Sequence, residues 1–314
     1  MKYFNLNIKI NDNLNSTLSP AELWLDGRKA APIFFGSSTI HDLISGTAPY
    51  VTKAKNEAIE FLKIGNKKES CRLVTVDSGF IWIYKIIGES QFGKEFQFTC
   101  DKIGEDVIPK YYPIEVIEKI EMSKAPYILA AMKSSQAFAR GTFTEINKNN
   151  SKYAGNIAAI RSILGDLSDF KINPFRCLSS VELETLIAKI FEEHGSFVPA
   201  HRGALLKDVD LFVDINNADR EIKQQFNSLE KISIQIKIDI AESTDLTNLK
   251  RFLQAKGNIL ITAEERRHPD LMEFRGQYLN AQWLQGQLAS LSNIKNWLDK
   301  SLDWLPKHCW LNSI

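Results

Sequence analysis

The chain has 314 residues, 44% of them hydrophobic and 25% charged, with a formal charge of +1. That composition suits a globular protein with room for two cores, and its near-neutral balance excludes a protein that coats nucleic acid through bulk positive charge. No run approaches the about 18 to 20 apolar residues that span a bilayer, and the four cysteines and five histidines are too dispersed for a disulfide framework or a structural zinc site.

The start, MKYFNLNIKINDN, alternates apolar with polar residues and lacks a secretory h-region, so a cytoplasmic address and no membrane partner are expected. Strands are predicted over 3–10, 33–35, 72–76, 80–87 and 114–122, and a helix over 51–64. Between LVTV and FIWIYKI stands Asp77-Ser78-Gly79, the chemistry of a hairpin turn. Aromatics lie beside bases in FIWIYK (80–85) and KYYP (110–113), and Arg28, Lys29, Lys67 and Lys68 form small basic clusters. Such rings can stack on nucleotides, but hydrophobic core is their commoner use. Residues 1–150 thus read as a β-rich α+β domain for recognition or regulation.

The polar NKNNSK (147–152) ends that region. A helix over 153–164 and a Pro-interrupted path make 151–177 a helix and linker. From 178 the signals sharpen: Ser179 or Ser180 can cap a helix whose Leu183, Leu186, Ile187 and Ile190 share one face, and Gly195 stops it. Strands follow at 196–199, 209–215 and 231–240, then a helix over 246–254 and the apolar strand NILIT (258–262). The third strand, KISIQIKIDI, sets an isoleucine ribbon against Ser233, Gln235, Lys237 and Asp239. A helical tail carries Trp283, Trp297, Trp304 and Trp310, for which packing onto its own domain is the default use and a partner surface the alternative. The order of helix, three strands, helix and strand gives residues 178–314 an α/β class with a central mixed sheet flanked by helices.

Glu184 on the helix, Asp210 on the second strand, and Gln235 with Lys237 on the third could meet at one sheet edge. Singly, each has an ordinary role on a solvated face. Together, VELETLIAKIFEEHGSFVPAHRG, KDVDLFV and ISIQIK resemble the PD-(D/E)XK nuclease superfamily, nearest its Mrr-like restriction endonuclease branch with a QxK motif. The resemblance covers about 178–265. It implies a restriction-endonuclease-like domain and a DNA endonuclease acting in restriction or antiviral defence.

Carried over by position, the helix acid falls on Glu184, the metal-binding aspartate on Asp210 and the QxK pair on Gln235 and Lys237. Mg²⁺, or Mn²⁺ in its stead, would take oxygens from Asp210, Gln235, Glu184 and the Ile236 carbonyl, with Lys237 orienting a water. The branch usually has glycines before its aspartate, where this chain has Leu205-Leu206-Lys207-Asp208-Val209. Arg202, Lys207, Lys250 and Arg251 are candidate DNA contacts, as are Arg266 and Arg267, while Asp239 is assigned to ordinary solvated surface. Residues 181–275 hold 13 Lys and Arg against 17 Asp and Glu, a net of −4, so a homo-oligomer or a partner protein is expected to supply DNA affinity. The alternative is a catalytically silent nuclease-fold subunit that binds DNA or a partner.

Overall fold

The computed structural model describes residues 1–8, 17–34, 38–45, 52–65, 71–100, 105–133, 142–146, 153–201, 209–227, 229–240 and 244–311. The chain is α/β and divides into two compact units, Met1–Asn149 with Ile163–Gly165, and Asn150–Ser162 with Asp166–Ile314. Among the described residues no helix is long and apolar enough to cross a membrane.

The first unit is built on a mixed sheet of β1 (Lys2–Leu6), β2 (Ala30–Ile33), β3 (Cys71–Asp77), β4 (Phe80–Ile86), β5 (Gln91–Phe92), β8 (Lys110–Glu121) and β9 (Phe143–Ile146). The strand order is β2-β8-β4-β3-β1-β9, with β5 added beside β8. Only β1 and β3 run parallel. A separate hairpin pairs β6 (Phe98–Cys100) with β7 (Glu105–Val107). The β3–β4 turn takes positive φ at Ser78 (44°) and Gly79 (84°). Two such residues in sequence match the twist of a two-residue hairpin, and glycine meets no steric penalty there.

Helices α1 (Ile40–Ser45), α2 (Thr52–Lys63) and α3 (Tyr127–Ala130) complete the unit. Trp24, Trp82, Tyr84, Tyr112 and Phe61 are fully buried in one core, so the rings of FIWIYK and KYYP mostly pack inward rather than offering stacking platforms. Phe80 and Tyr111 of that group stay partly exposed, the Tyr111 hydroxyl tied to Gln91 and Glu95. Arg28 lies over the Trp24 and Phe96 rings. Lys67 and Lys68 lie outside the described residues.

The second unit opens with α4 (Ala154–Ile163) and α5 (Ser180–Glu193). Ser179 caps α5 in a full capping box: its hydroxyl accepts from Glu182 N–H (3.2 Å), and the Glu182 carboxylate accepts from Ser179 N–H (2.9 Å). Gly195 ends it at φ +79°, with the Asn217 carbonyl only 3.0 Å from where a Cβ would stand.

Five strands follow in the order β10 (Phe197–His201), β11 (Leu211–Asp214), β12 (Lys231–Lys237), β13 (Asn258–Thr262) and β14 (Tyr278–Leu279). The first three are antiparallel and the last three parallel. Between them come α6 (Arg220–Gln225) and α7 (Thr247–Leu253), and α8 (Ala281–Ser290) and α9 (Ser292–Ser301) end the unit.

The isoleucine ribbon does face the core. Ile232, Ile234 and Ile236 pack with Leu183, Leu186, Ile187, Ile190 and Phe191 of α5, each such side chain contributing about 2 kcal/mol. On the opposite face, Leu249, Phe252 and Leu253 of α7 pack with Leu260 and Tyr278. The tail packs on its own unit, with Leu298, Leu302, Leu305 and Trp310 buried in the α5 core. Trp283, Trp297 and Trp304 are partly buried against that core.

One expectation changes. β12 stops at Lys237 rather than running to Ile240. Ile238 packs against the α5 core, whereas Ile240 joins the α7 core on the other face. Two residues apart, they would share a face in a continuing strand. The ribbon has broken between them.

Candidate active site

Asp210 stands where the β11–β12 ladder gives way. The last register pair is Leu211 with Ile234. One step further, Asp210 N–H donates to the Ile234 carbonyl (2.8 Å), and the Asp210 carboxylate accepts from Ile236 N–H (2.6 Å). A side chain has replaced a backbone carbonyl in the ladder, so Asp210 is fixed by two bonds that straddle Gln235. Alternation then sets Gln235 and Lys237 on one face of β12. Lys237, half-buried, ends the strand opposite Thr262 of β13.

Glu184 comes from the first turns of α5, which packs on the isoleucine face. Burial, followed by the charge of Asp210, pushes its carboxyl up to about 7, while the Lys237 ammonium acts in the opposite sense. Glu184, Asp210 and Lys237 are therefore within electrostatic reach of one another, and Gln235 lies between the two bonds of Asp210. The four residues that the sequence singled out are brought to one strand end.

The metal question turns on Gln235. It is 5% exposed, and its Oε1 is buried without a hydrogen-bond partner among the described residues. A buried amide oxygen left unpaired costs about 1–3 kcal/mol unless a ligand completes it. Among the described residues no group of three or more His, Cys, Asp and Glu stands ready for a metal ion. A hard cation that keeps several waters needs only one or two carboxylates. The oxygen set of Asp210, Glu184 and Gln235 fits such a cation. Ile236 differs from expectation in one respect: its N–H is engaged by Asp210, an anchoring role beside any ligand role of its carbonyl.

The candidate DNA contacts are less gathered. Lys250, half-buried, and Arg251, exposed, lie in the last turn of α7. Neither is drawn to the four residues by a hydrogen bond or ion pair among the described residues. Arg202, Lys207 and Asp208 lie outside the described residues. The His201 backbone pairs with Leu211.

Asp239 is not solvated surface. Its side chain is 8% exposed and lies 3.6 Å from the Arg176 guanidinium. It also hydrogen-bonds Glu264, whose carboxyl is pushed up to about 7, first by burial and then by that bond, against donors at Tyr278 and Ile240. Glu264 Oε1 accepts from Ile240 N–H (3.2 Å) and Oε2 from the Tyr278 hydroxyl (2.9 Å). Sequence reasoning missed this second acidic pair because Asp239 and Glu264 follow the ends of two different strands, β12 and β13. The one local signal was the i, i+2 spacing that continues Gln235 and Lys237 to Asp239.

Comparison with family models, curated proteins and solved structures finds no match to this chain.

Proposed function

We propose that the second unit is a divalent-cation-dependent nuclease of PD-(D/E)XK type that hydrolyses DNA phosphodiester bonds, serving restriction or another defence against foreign DNA in the cytoplasm. The observation that carries the reading is the carboxylate of Asp210 astride Gln235, with Glu184 and Lys237 in electrostatic reach. The order of helix, three antiparallel strands with the short α6 before the third, helix and parallel strand supports it.

Asp210 and Glu184, with the Gln235 oxygen, would hold Mg²⁺ or Mn²⁺. When bound, such a cation stabilises charge on the phosphate and makes a water easier to deprotonate. The chain's own groups do the rest. The Ile236 N–H keeps Asp210 in one orientation. The Lys237 ammonium offers three donors to a phosphate oxygen or to the attacking water, and its positive charge offsets the negative charge that grows on the phosphate. The acidic balance of residues 181–275 leaves little bulk attraction for DNA, so a second copy or a partner subunit would share the grip.

The test is incubation of the purified chain with plasmid and linear DNA, in Mg²⁺ or EDTA, beside Lys237→Ala. Cutting by the wild type alone, and only with metal, is expected. Cutting that survives in the variant would remove Lys237 from the mechanism. DNA binding without cutting under all conditions would favour a catalytically silent binding subunit.

A further inference from the structure

Helices α5 and α9 share the core of the second unit through Ile190 and Leu298, and a groove of about 420 Å³ opens to solvent between them. Each wall is one helical stripe. Lys189, Glu192 and Glu193 stand three and four residues apart on α5, and Asn293, Trp297 and Lys300 do so on α9. The Asn293 amide donates to the Glu193 carboxylate (2.9 Å) and ties one wall to the other. Buried Ile294 and partly buried Trp297 supply the apolar part of the groove.

The remaining charges are uncommitted. The side chains of Lys189, Glu192 and Lys300 make no hydrogen bond or ion pair among the described residues. Two lysines and two glutamates leave the groove neutral while presenting both signs.

That balance selects the occupant. A phosphate backbone would meet as much repulsion as attraction, so nucleic acid gains nothing from the four charges. A peptide of a single sign would bring like charges together, which an interface strongly disfavours. The surface that answers both signs is one that carries both, and this groove on another copy does so. A two-fold axis sets residue i against j and j against i, so a patch of mixed sign complements itself. Trp297 adds the kind of aromatic anchor around which such contacts are built.

We propose that the α5–α9 groove is the face through which two copies of this chain associate as a two-fold dimer, the lysines of each copy meeting the glutamates of the other around Trp297. No groove residue belongs to the candidate catalytic cluster, so the dimer stands or falls without the nuclease reading and is tested without cleavage.

The experiment reads the mass of the full chain by sedimentation velocity over a concentration series, with thermal melts to check folding. The wild type is compared with Lys189→Glu/Lys300→Glu, whose groove is acidic, with Glu192→Lys/Glu193→Lys, whose groove is basic, and with an equimolar mixture of the two. The wild type is expected to pass from monomer to dimer as concentration rises. Each charge variant alone should stay monomeric where the wild type is dimeric, because its two grooves repel, and the mixture should recover the dimer. Trp297→Ala should raise the dimer dissociation constant at least about tenfold. Trp297 also packs on its own core, so the charge variants decide the matter if that substitution unfolds the chain. A wild type that is monomeric throughout would overturn the proposal. So would charge variants that each dimerise like the wild type, or a mixture that stays monomeric. Labelled single-stranded DNA tests the other occupant: binding to a monomeric wild type that is lost in the acidic variant would give the groove to nucleic acid instead.

Discussion

At the N-terminal end of α5, Glu184 lies within electrostatic reach of Asp210 and Lys237, near a Gln235 oxygen that no described residue satisfies. The C-terminal end of the same helix carries His194, also buried, in a cluster that is complete. Its Nδ1 bonds the Asp219 carboxylate (2.6 Å) and its Nε2 the Gln287 carbonyl oxygen. The Gln287 amide donates onward to Glu221 (3.1 Å), which fixes its oxygen toward the ring. Both ring nitrogens therefore face acceptors, and both must donate. His194 is an imidazolium joining the ends of α5 and α6 to α8, where the negative end of the α5 dipole also favours it. Satisfied groups of this kind hold a fold together. The Gln235 oxygen, carried by β12 and unsatisfied among the described residues, marks a place open to a ligand.

The comparison breaks first on Lys237→Ala. If the open cluster is catalytic, the variant should lose about 10² to 10³ in cleavage rate, the usual effect of removing one charge-stabilising group. Its melting temperature should stay within a degree or two, because Lys237 is half-buried and its side chain makes no hydrogen bond or ion pair among the described residues. A variant that cuts normally, or one that unfolds, would erase the contrast between the two ends.

The next effect is on cation binding. Glu184 titrates at about 7, raised by burial and by Asp210. A proton and a cation compete for it, so Mg²⁺ affinity, read by calorimetry, should fall as pH drops below about 7, by up to tenfold per pH unit. Glu184→Gln should flatten that dependence. The stability term has its own sign. A carboxyl raised above its ordinary value favours folding below about pH 4.5 and loses that contribution as pH rises through about 7.

At the closed end, His194→Gln should leave cleavage intact and cost stability, about 2 kcal/mol for the lost charge-assisted bonds. Asp219 is half-exposed, which keeps the loss below that of a fully buried pair. Burial lowers the His194 pKa, but the bonds to Asp219 and Gln287 and the charges of Asp219 and Glu221 raise it further, for a net rise. The stability difference between wild type and variant should be full below about pH 6.5 and shrink as pH rises through the folded value. Chemical denaturation at several pH values reads it.

Much of the second unit was legible because its signals are local. The period-2 isoleucines, the capping box at Ser179 and the run NILIT each specify an element within ten residues, and the order of elements brought Glu184, Asp210, Gln235 and Lys237 to one edge. What was hidden is non-local. Nothing near Ile238 says that the strand ends there, because the Ile240 N–H is taken by Glu264, 24 residues on. His194 finds Asp219 and Gln287 at separations of 25 and 93. The helix Arg220–Gln225 had a readable cap in Asp219, whose carboxylate accepts from Ile222 N–H (3.1 Å), but six residues carry too little periodicity to read. Strand β14 has only two residues, below any pattern.

The smallest effect belongs to Tyr278→Phe. Tyr278 is a closed contact of the loop after β13: its hydroxyl donates to Glu264 and accepts from His268 N–H. Removing it should cost about 1 kcal/mol. The donated bond favours ionised Glu264, so the loss should be larger at pH 8 than at pH 5, on either side of the value near 7 where Glu264 titrates. Cleavage should change little, since neither bond reaches Lys237. If stability falls equally at both pH values, Glu264 is not the partner that matters. A larger loss at pH 8 with cleavage unchanged would set Tyr278, like His194, among the closed contacts that hold the fold, apart from the cluster around Gln235 and Lys237.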